Sequence, residues 1–306
     1  MGGELDSEIL KNLAEREEKA EVNPELIQFY RRLLQIQSEV EQRVGITTPN
    51  LSGDTIAARL DNGQPLIQFN DLDLDWSLLK NTFVRIASIF AEYPRLFGPL
   101  PQSVIETTAS PLLKKAVRAV YSGRKLPAAM LVNNVNGALL ENIIQATLKP
   151  FLASYAKALL SNVNQEQWRR GYCPICGGNP DLAFLDKEKG ARWLMCCRCD
   201  TEWRFQRLEC PFCGNQKQDK LAYFTDDDGL YRLYVCEQCK RYLKTIDLRQ
   251  TEDDVKLPLE RLFTLGMDMQ ADEYGYTRSN KADTSVKVTK PRKVRRRATT
   301  TTDNSC

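Results

Sequence analysis

The sequence predicts an α+β protein: an all-α N-terminal helical domain followed by two tandem four-cysteine modules of rubredoxin-like or zinc-ribbon type. Three observations predict it. Apolar residues recur every three or four positions through the first half of the chain, the spacing of one helix face. Nine of the ten cysteines fall between residues 173 and 239. The 306 residues contain no histidine, so any metal must be held by thiolates or carboxylates. The expected domains are 1–165 (helical), 166–207 (first rubredoxin-like four-cysteine module), 208–265 (second four-cysteine module) and 266–306 (a disordered basic tail).

In the helical part, NPELIQFYRRLLQIQSEVEQRVG sets Asn23 as an N-cap, Pro24 as the first helical residue and Gly45 just past the end. Leu26, Phe29, Leu33, Ile36, Val40 and Val44 then form one apolar face. A second stripe of Trp76, Leu79, Phe83, Ile86 and Phe90 follows Asp71, Asp73 and Asp75, a helix-start cluster at the positive end of the helix dipole. A third runs through Leu140, Ile144, Leu148, Phe151, Tyr155 and Leu159. Residues 101–122 are also helical, broken or restarted at Pro111, and residues 46–70 read as connecting structure with one short strand. Such stripes are bundle core far more often than ligand grooves, and this half names no chemistry.

The chemistry lies in four Cys-x-x-Cys hooks: Cys173/Cys176, Cys196/Cys199, Cys210/Cys213 and Cys236/Cys239, separated by 19, 10 and 22 residues. They repeat. The first and third hooks read CPxCG, and Arg192 and Arg232 each stand four residues before the second and fourth. The copies are offset by 37 residues at the first hook and 40 at the second, a three-residue insertion expected in the DDDG turn at 226–229. Cys-x-x-Cys is the shortest loop that aims two sulfurs at one ion. Pro174 and Pro211 preset φ on entry, while Gly177 and Gly214 permit a left-handed residue at the close. Two facing hooks make a four-cysteine tetrahedron suited to Zn(II) or a rubredoxin-type Fe, and the spacing does not choose between them. The repeat favours sequential pairing, first hook with second and third with fourth, over an interleaved cross-brace. Each module is too short to bury much apolar surface, so metal would supply much of its folding energy, about 10–16 kcal/mol for structural zinc in small domains.

Within RWLMCCRCDTEW the repeat selects Cys196 and Cys199 as ligands and sets Cys197 opposite Glu237, a bystander position. Cys306 has no partner in sequence. Paired hooks at ribbon spacing favour mononuclear sites over an iron–sulfur cluster. A thioredoxin-type role lacks the βαβ frame it needs.

The absence of histidine excludes Ser-His-Asp triads, Cys-His dyads and HExxH zinc chemistry. No acid–base pair is legible, and the protein is expected not to be an enzyme. MGGELDSEIL carries no signal pattern, and no apolar run approaches about 18 residues, so a cytoplasmic protein without membrane insertion is expected. The basic balance belongs to the tail: residues 281–306 hold eight Lys/Arg against two Asp, a net of +6, while the whole chain is +3. That tail has too little apolar content to order itself.

The string GYCPICGGNP, RWLMCCRCDTEW, RLECPFCG, YRLYVCEQCKRYLKTID resembles the formate dehydrogenase accessory protein family, the FdhE type, over roughly residues 20–265. The resemblance implies a helical domain followed by two rubredoxin-like metal modules. It also implies a cytoplasmic, non-catalytic maturation factor that binds the catalytic subunit of a molybdenum- or tungsten-dependent respiratory formate dehydrogenase. The family's ligands carry over to Cys173, Cys176, Cys196, Cys199, Cys210, Cys213, Cys236 and Cys239, so two metal ions, Fe or Zn, are expected, each in a four-cysteine site. Cys197 and the basic Thr-rich tail depart from the family pattern. Client contacts near the hooks would fall on Arg192, Trp193, Trp203, Arg204, Arg207 or Tyr242, though most of these positions read better as aromatics shielding metal and solvated arginines. Two alternatives stay open: a nucleic-acid-binding zinc-ribbon protein using KPRKVRRR, and a rubredoxin-like iron electron carrier. No small-molecule substrate is indicated.

Overall fold

A computed structural model describes residues 9, 11–14, 16, 22–106, 110–131, 135–278 and 296–298. The chain divides into two units, one drawn from residues 1–59 and 65–162, the other from 60–64 and 163–306.

The first unit is helical: α1 (Pro24–Val44), α2 (Gly53–Asp61), α3 (Trp76–Glu92), α4 (Pro94–Phe97), α5 (Gln102–Glu106), α6 (Ser110–Tyr121) and α7 (Gly137–Leu159). Asparagine and aspartate side chains start the long ones, as short polar acceptors do for unpaired first-turn N–H groups. Asn23 accepts from Glu25 N, Asp75 from Ser77 N and Leu78 N, and Asn136 from Ala138 N and Leu139 N. Phe29 of α1 meets Phe90 of α3 at 4.7 Å and Phe97 of α4 at 4.4 Å between ring centroids. Helix α7 contains Pro150, which cannot donate to the carbonyl of Ala146 one turn earlier. The buried Gln37 of α1 donates to that carbonyl instead, at 2.8 Å, so a polar side chain in the bundle core is explained by a proline on the facing helix.

The expectation for residues 46–70 meets a correction here. Residues 46–70 hold no strand among the described residues; they form α2, entered through Ser52, whose Oγ accepts from Thr55 N at 3.2 Å. The buried pair Leu66 and Ile67, which reads as strand, is a loop. Its carbonyls are satisfied by Arg59 Nη1 on Leu66 O (2.6 Å) and Tyr121 Oη on Ile67 O (2.9 Å), so no ladder is required.

The second unit is a sheet of order β3-β2-β1-β6-β5-β4-β7. Its strands are β1 (Pro180–Leu185), β2 (Arg192–Cys196), β3 (Glu202–Phe205), β4 (Leu221–Thr225), β5 (Tyr231–Cys236), β6 (Arg241–Asp247) and β7 (Arg296–Ala298). β1–β2–β3 and β4–β5–β6 are two antiparallel meanders, one per module, joined by a parallel pairing of β1 with β6 that sets Ala183 opposite Thr245. The two modules thus share one sheet.

The register relocates the three-residue insertion. Asp186 and Asp226 open equivalent hairpins of equal length, each amide donating to the carbonyl five residues on, Ala191 and Tyr231. The DDDG turn therefore carries no insertion. Pro180 and Leu221 both pair with the first cysteine of a second hook, an offset of 41, so four extra residues precede β4, in the segment containing Gln218–Lys220. A register shift in β1 between Pro180 and Leu182 returns one of them.

Order continues beyond the tail boundary expected at 265. Helices α8 (Leu257–Phe263) and α9 (Leu265–Glu273) follow the sheet. Ala271 and Tyr276 pack with Ala222, Leu233, Val235 and Tyr242. Asp268 of α9 accepts from Tyr242 Oη (2.7 Å), the buried Lys244 Nζ (2.8 Å) and Arg278 Nη2 (2.8 Å). A small and an aromatic side chain plus a charge cluster do what an apolar stripe does elsewhere, which is why the pattern fades while the order does not. The remaining tail, 279–295 and 299–306 with Cys306, lies outside the described residues.

Candidate metal centres

Each first hook lies in the loop before its meander, and each second hook begins at the last residue of the middle strand, Cys196 or Cys236. The loops close alike. Gly177 N donates to Cys173 O at 3.0 Å and Gly214 N to Cys210 O at 2.9 Å, with φ of 69° at both glycines. The second hooks close on left-handed non-glycine residues, Asp200 (φ 56°) and Lys240 (φ 53°), whose amides donate back to Cys196 O and Cys236 O. Cys197 and Glu237 occupy one register position, their amides donating to Asn179 O and Lys220 O.

The hooks come together in sequence order. Cys173, Cys176, Cys196 and Cys199 form one group and Cys210, Cys213, Cys236 and Cys239 the other, with the sulfurs of each within 4.8 Å of one another. In the first group the Cys173–Cys199 separation is 3.6 Å, and those of Cys176 from Cys196 and Cys199 are 3.4 Å. In the second, Cys210–Cys239 and Cys213–Cys236 are 3.7 Å. A tetrahedron with metal–sulfur bonds of about 2.3 Å has edges of about 3.8 Å, so both groups fit a four-coordinate ion. They are far from the ~2 Å of a disulfide. Each group can hold one metal ion; Cys197 belongs to neither.

The surroundings of the two groups differ. All four sulfurs of the first group belong to buried residues. Thr201 Oγ1 lies 3.0 Å from Cys199 Sγ, and Arg198 N donates to Cys196 Sγ at 3.4 Å. Gly178 backs against the same sulfur so closely that a Cβ there would lie 2.8 Å from it. Arg261 of α8 donates to Asp181 through Nε (2.7 Å) and Nη2 (3.0 Å), to Asp200 through Nη1 (2.7 Å) and to the carbonyl of Cys196 (2.9 Å). Burial pushes the Cys173 thiol well up, so the anionic ligand form there depends on a cation. In the second group Cys210 and Cys236 are buried, Cys239 is half-buried and Cys213 is exposed. Asn215 Nδ2 reaches Cys236 Sγ at 3.8 Å, and the Arg241 guanidinium lies 3.7 Å from the centre of the Phe212 ring, inside the third hook. Burial pushes Cys239 up to about 11.

Arg192 and Arg232, which mark the repeat, do different work. Arg192 is buried. Its Nη1 donates to the carbonyls of Gln206, Arg207 and Glu209 (3.4, 3.2 and 3.0 Å), and its guanidinium lies 5.0 Å from the Tyr234 ring, so it fastens the segment between the modules. Arg232 pairs with the fully buried Asp247. Of the other expected contact residues, Trp203 and Tyr242 are interior. Trp203 Nε1 donates to Arg170 O at 2.9 Å. Trp193 is half-buried and stacks on Phe184, Arg204 is half-buried and pairs with Glu166, and Arg207 is exposed. Sequence reasoning missed Gly178, Thr201, Asp181 and Arg261. No local signal ties Arg261 to a cysteine 65 residues earlier; only α8 folding back does.

Residues 172–207 match the family described as "FdhE, central domain". The match covers the first four-cysteine group and its whole meander. A "Protein FdhE homolog" of Aquifex aeolicus (strain VF5) is 28% identical over 269 residues, 85% of this chain and 88% of that protein. The chain is thus similar to FdhE proteins along most of its length. "Protein FdhE" of Escherichia coli O127:H6 is 30% identical over 142 residues, 45% of either chain. The fold is also that of the FdhE protein from Pseudomonas aeruginosa, with a TM-score of 0.60 at 22% identity, covering 90% of this chain and 93% of that one. No helix among the described residues is long and apolar enough to cross a membrane.

Proposed function

We propose that this chain is a cytoplasmic, non-catalytic accessory protein that binds the catalytic subunit of a molybdenum- or tungsten-dependent respiratory formate dehydrogenase and is needed for its assembly or activity. The observation that carries the reading is the pair of preformed four-sulfur groups in a chain similar to an FdhE homologue along 85% of its length. Cys173, Cys176, Cys196 and Cys199 would hold one ion, and Cys210, Cys213, Cys236 and Cys239 the other, each iron or zinc. A bound ion would supply the cross-link that these short meanders lack in apolar core. The chain's own residues fix the rest. Hook amides orient the sulfurs, and Arg192 with the β1–β6 pairing makes one rigid surface of two small modules. Arg207 and the exposed face around Cys213 are what that surface offers a partner.

The test is affinity capture of the tagged full-length protein from anaerobically grown cells, with formate dehydrogenase activity measured in a deletion strain. The expected result is recovery of the catalytic subunit and loss of activity. Capture without that subunit, together with unchanged activity in the deletion strain, overturns the reading. A second reading, a rubredoxin-like iron electron carrier, is favoured by one feature: the second group reaches solvent, as an electron-transfer centre must. It requires a reversible thiolate-to-iron absorption band in protein purified without oxygen, and colourless zinc-loaded protein excludes it.

A further inference from the structure

The two four-cysteine groups are alike in their hooks and unlike in their access. In the first, every cysteine is buried, and Gly178, Thr201, Arg198 N and the Arg261 latch occupy the space around the sulfurs. In the second, the chain leaves two openings. Cys213 stands exposed beside Gly214, where a Cβ would meet nothing nearer than a Glu209 oxygen at 4.0 Å, and Cys239 is half-buried. A narrow cleft with room for about one water molecule borders the same group, lined among others by Cys210, Cys236, Phe212, Tyr234, Arg192 and Arg241. An ion already bound by thiolates favours a soft incoming ligand.

We propose that the second four-cysteine group is an exchange site, at which a thiolate from outside the chain displaces Cys213 from the metal, while the first group is closed to exchange. The step conserves charge and protons: the incoming thiol gives up its proton as its sulfur binds, and the departing Cys213 sulfur takes one up. Cys213 is the leaving ligand because it is the one exposed residue of the four, where a free thiol is readily hydrated. Cys210 and Cys236 cannot leave so easily, since a buried sulfur has nowhere to be solvated. The inference rests on the reading above that both groups hold metal.

The experiment uses the full-length protein as purified. Metal per chain is counted first; two equivalents are expected, and a metal-free protein overturns both the metal reading and this inference before any competitor is added. Dimercaptosuccinate, an anionic dithiol, is then added and released metal is followed with time. One equivalent should leave at least about tenfold faster than the other, the scale on which outer-shell differences act on metal affinity. Iodoacetamide with mass spectrometry should modify Cys213 and then Cys239 in step with the fast release, with Cys173 and Cys176 protected. Cys213→Ser should remove the fast equivalent and keep the slow one. Release of both equivalents at one rate, first modification at Cys173 or Cys176, or resistance of both metals overturns the exchange site while leaving the metal reading intact.

Discussion

Cys196 and Cys236 end equivalent strands, close equivalent loops and sit in sulfur groups of nearly the same dimensions, yet the chain treats them differently. Around Cys196 and Cys199 the neighbours are a buried glycine, a buried threonine hydroxyl and an arginine held by two carboxylates. Around the second group the neighbours are the Arg241 guanidinium over Phe212 and, at Cys213, solvent. The difference teaches that hook spacing specifies a metal polyhedron, while its sealing is set by residues far away in sequence. A duplicated motif can thus supply one closed structural site and one open site in the same sheet.

The sharpest way to break the comparison is to remove a ligand from each side. Cys173→Ser should lose one metal equivalent and unfold the first meander, because the ion stands in for an apolar core worth about 10 kcal/mol or more. Cys213→Ser should lose one equivalent with the first meander intact. Metal counting and backbone amide exchange read both, and a Cys173→Ser protein with full metal content would refute the four-sulfur assignment.

Arg261→Met tests the seal. It takes from Asp181 and Asp200 the guanidinium that pairs with them and from the Cys196 carbonyl one of its two donors, a cost of about 2 kcal/mol for breaking a partly buried pair. Urea unfolding should show that loss, and the first metal should become removable by chelator. An unchanged midpoint would mean α8 contributes nothing to the closure.

A smaller effect should appear in the second module with acid. Burial alone would raise the Asp247 carboxyl. Hydrogen bonds from Arg249 (2.7 and 2.8 Å) and the charge of Arg232 outweigh it and hold the carboxyl below the usual range. The folded protein therefore binds this proton less tightly than the unfolded chain. The stabilisation is full above the unfolded value of about 4 and is lost as pH falls through the lower folded value. The stability gap between wild type and Asp247→Asn, measured by urea midpoints, should be widest near neutrality and shrink below about pH 4. A gap that widens in acid contradicts the sign.

The smallest effect is expected at Cys197, which lies in neither sulfur group. Cys197→Ser should keep both metals and shift stability by no more than about 0.5 kcal/mol. Loss of metal from this variant would return it to the list of ligands.

Much of the candidate site is legible along the chain because its parts are local. Cys-x-x-Cys, the flanking Pro and Gly, and the repeat that aligns Cys197 with Glu237 need only a few consecutive residues each, and they are enough to pair the hooks. The helical stripes are legible for the same reason, down to the caps at Asn23 and Asp75. The DDDG turn misled because an Asp-rich run reads as an inserted loop. The hairpin register instead puts the extra residues before β4, offset by a shift in β1 that no composition signals. Arg192 looked like a surface cation and is buried, since it is received by carbonyls of the segment between the modules and by the Tyr234 ring of the second meander.

By itself, then, the sequence determined which atoms can bind metal, how many ions they can hold and which hooks face each other. Those properties depend on thiolate chemistry and on loops too short to adopt many shapes. Tertiary structure decided that β1 pairs with β6 to merge the modules, that Arg261 and Gly178 close one sulfur group, and that Cys213 stays in water. Burial and ion pairing depend on what arrives from distant segments, and RWLMCCRCDTEW carries no record of the arginine that seals it.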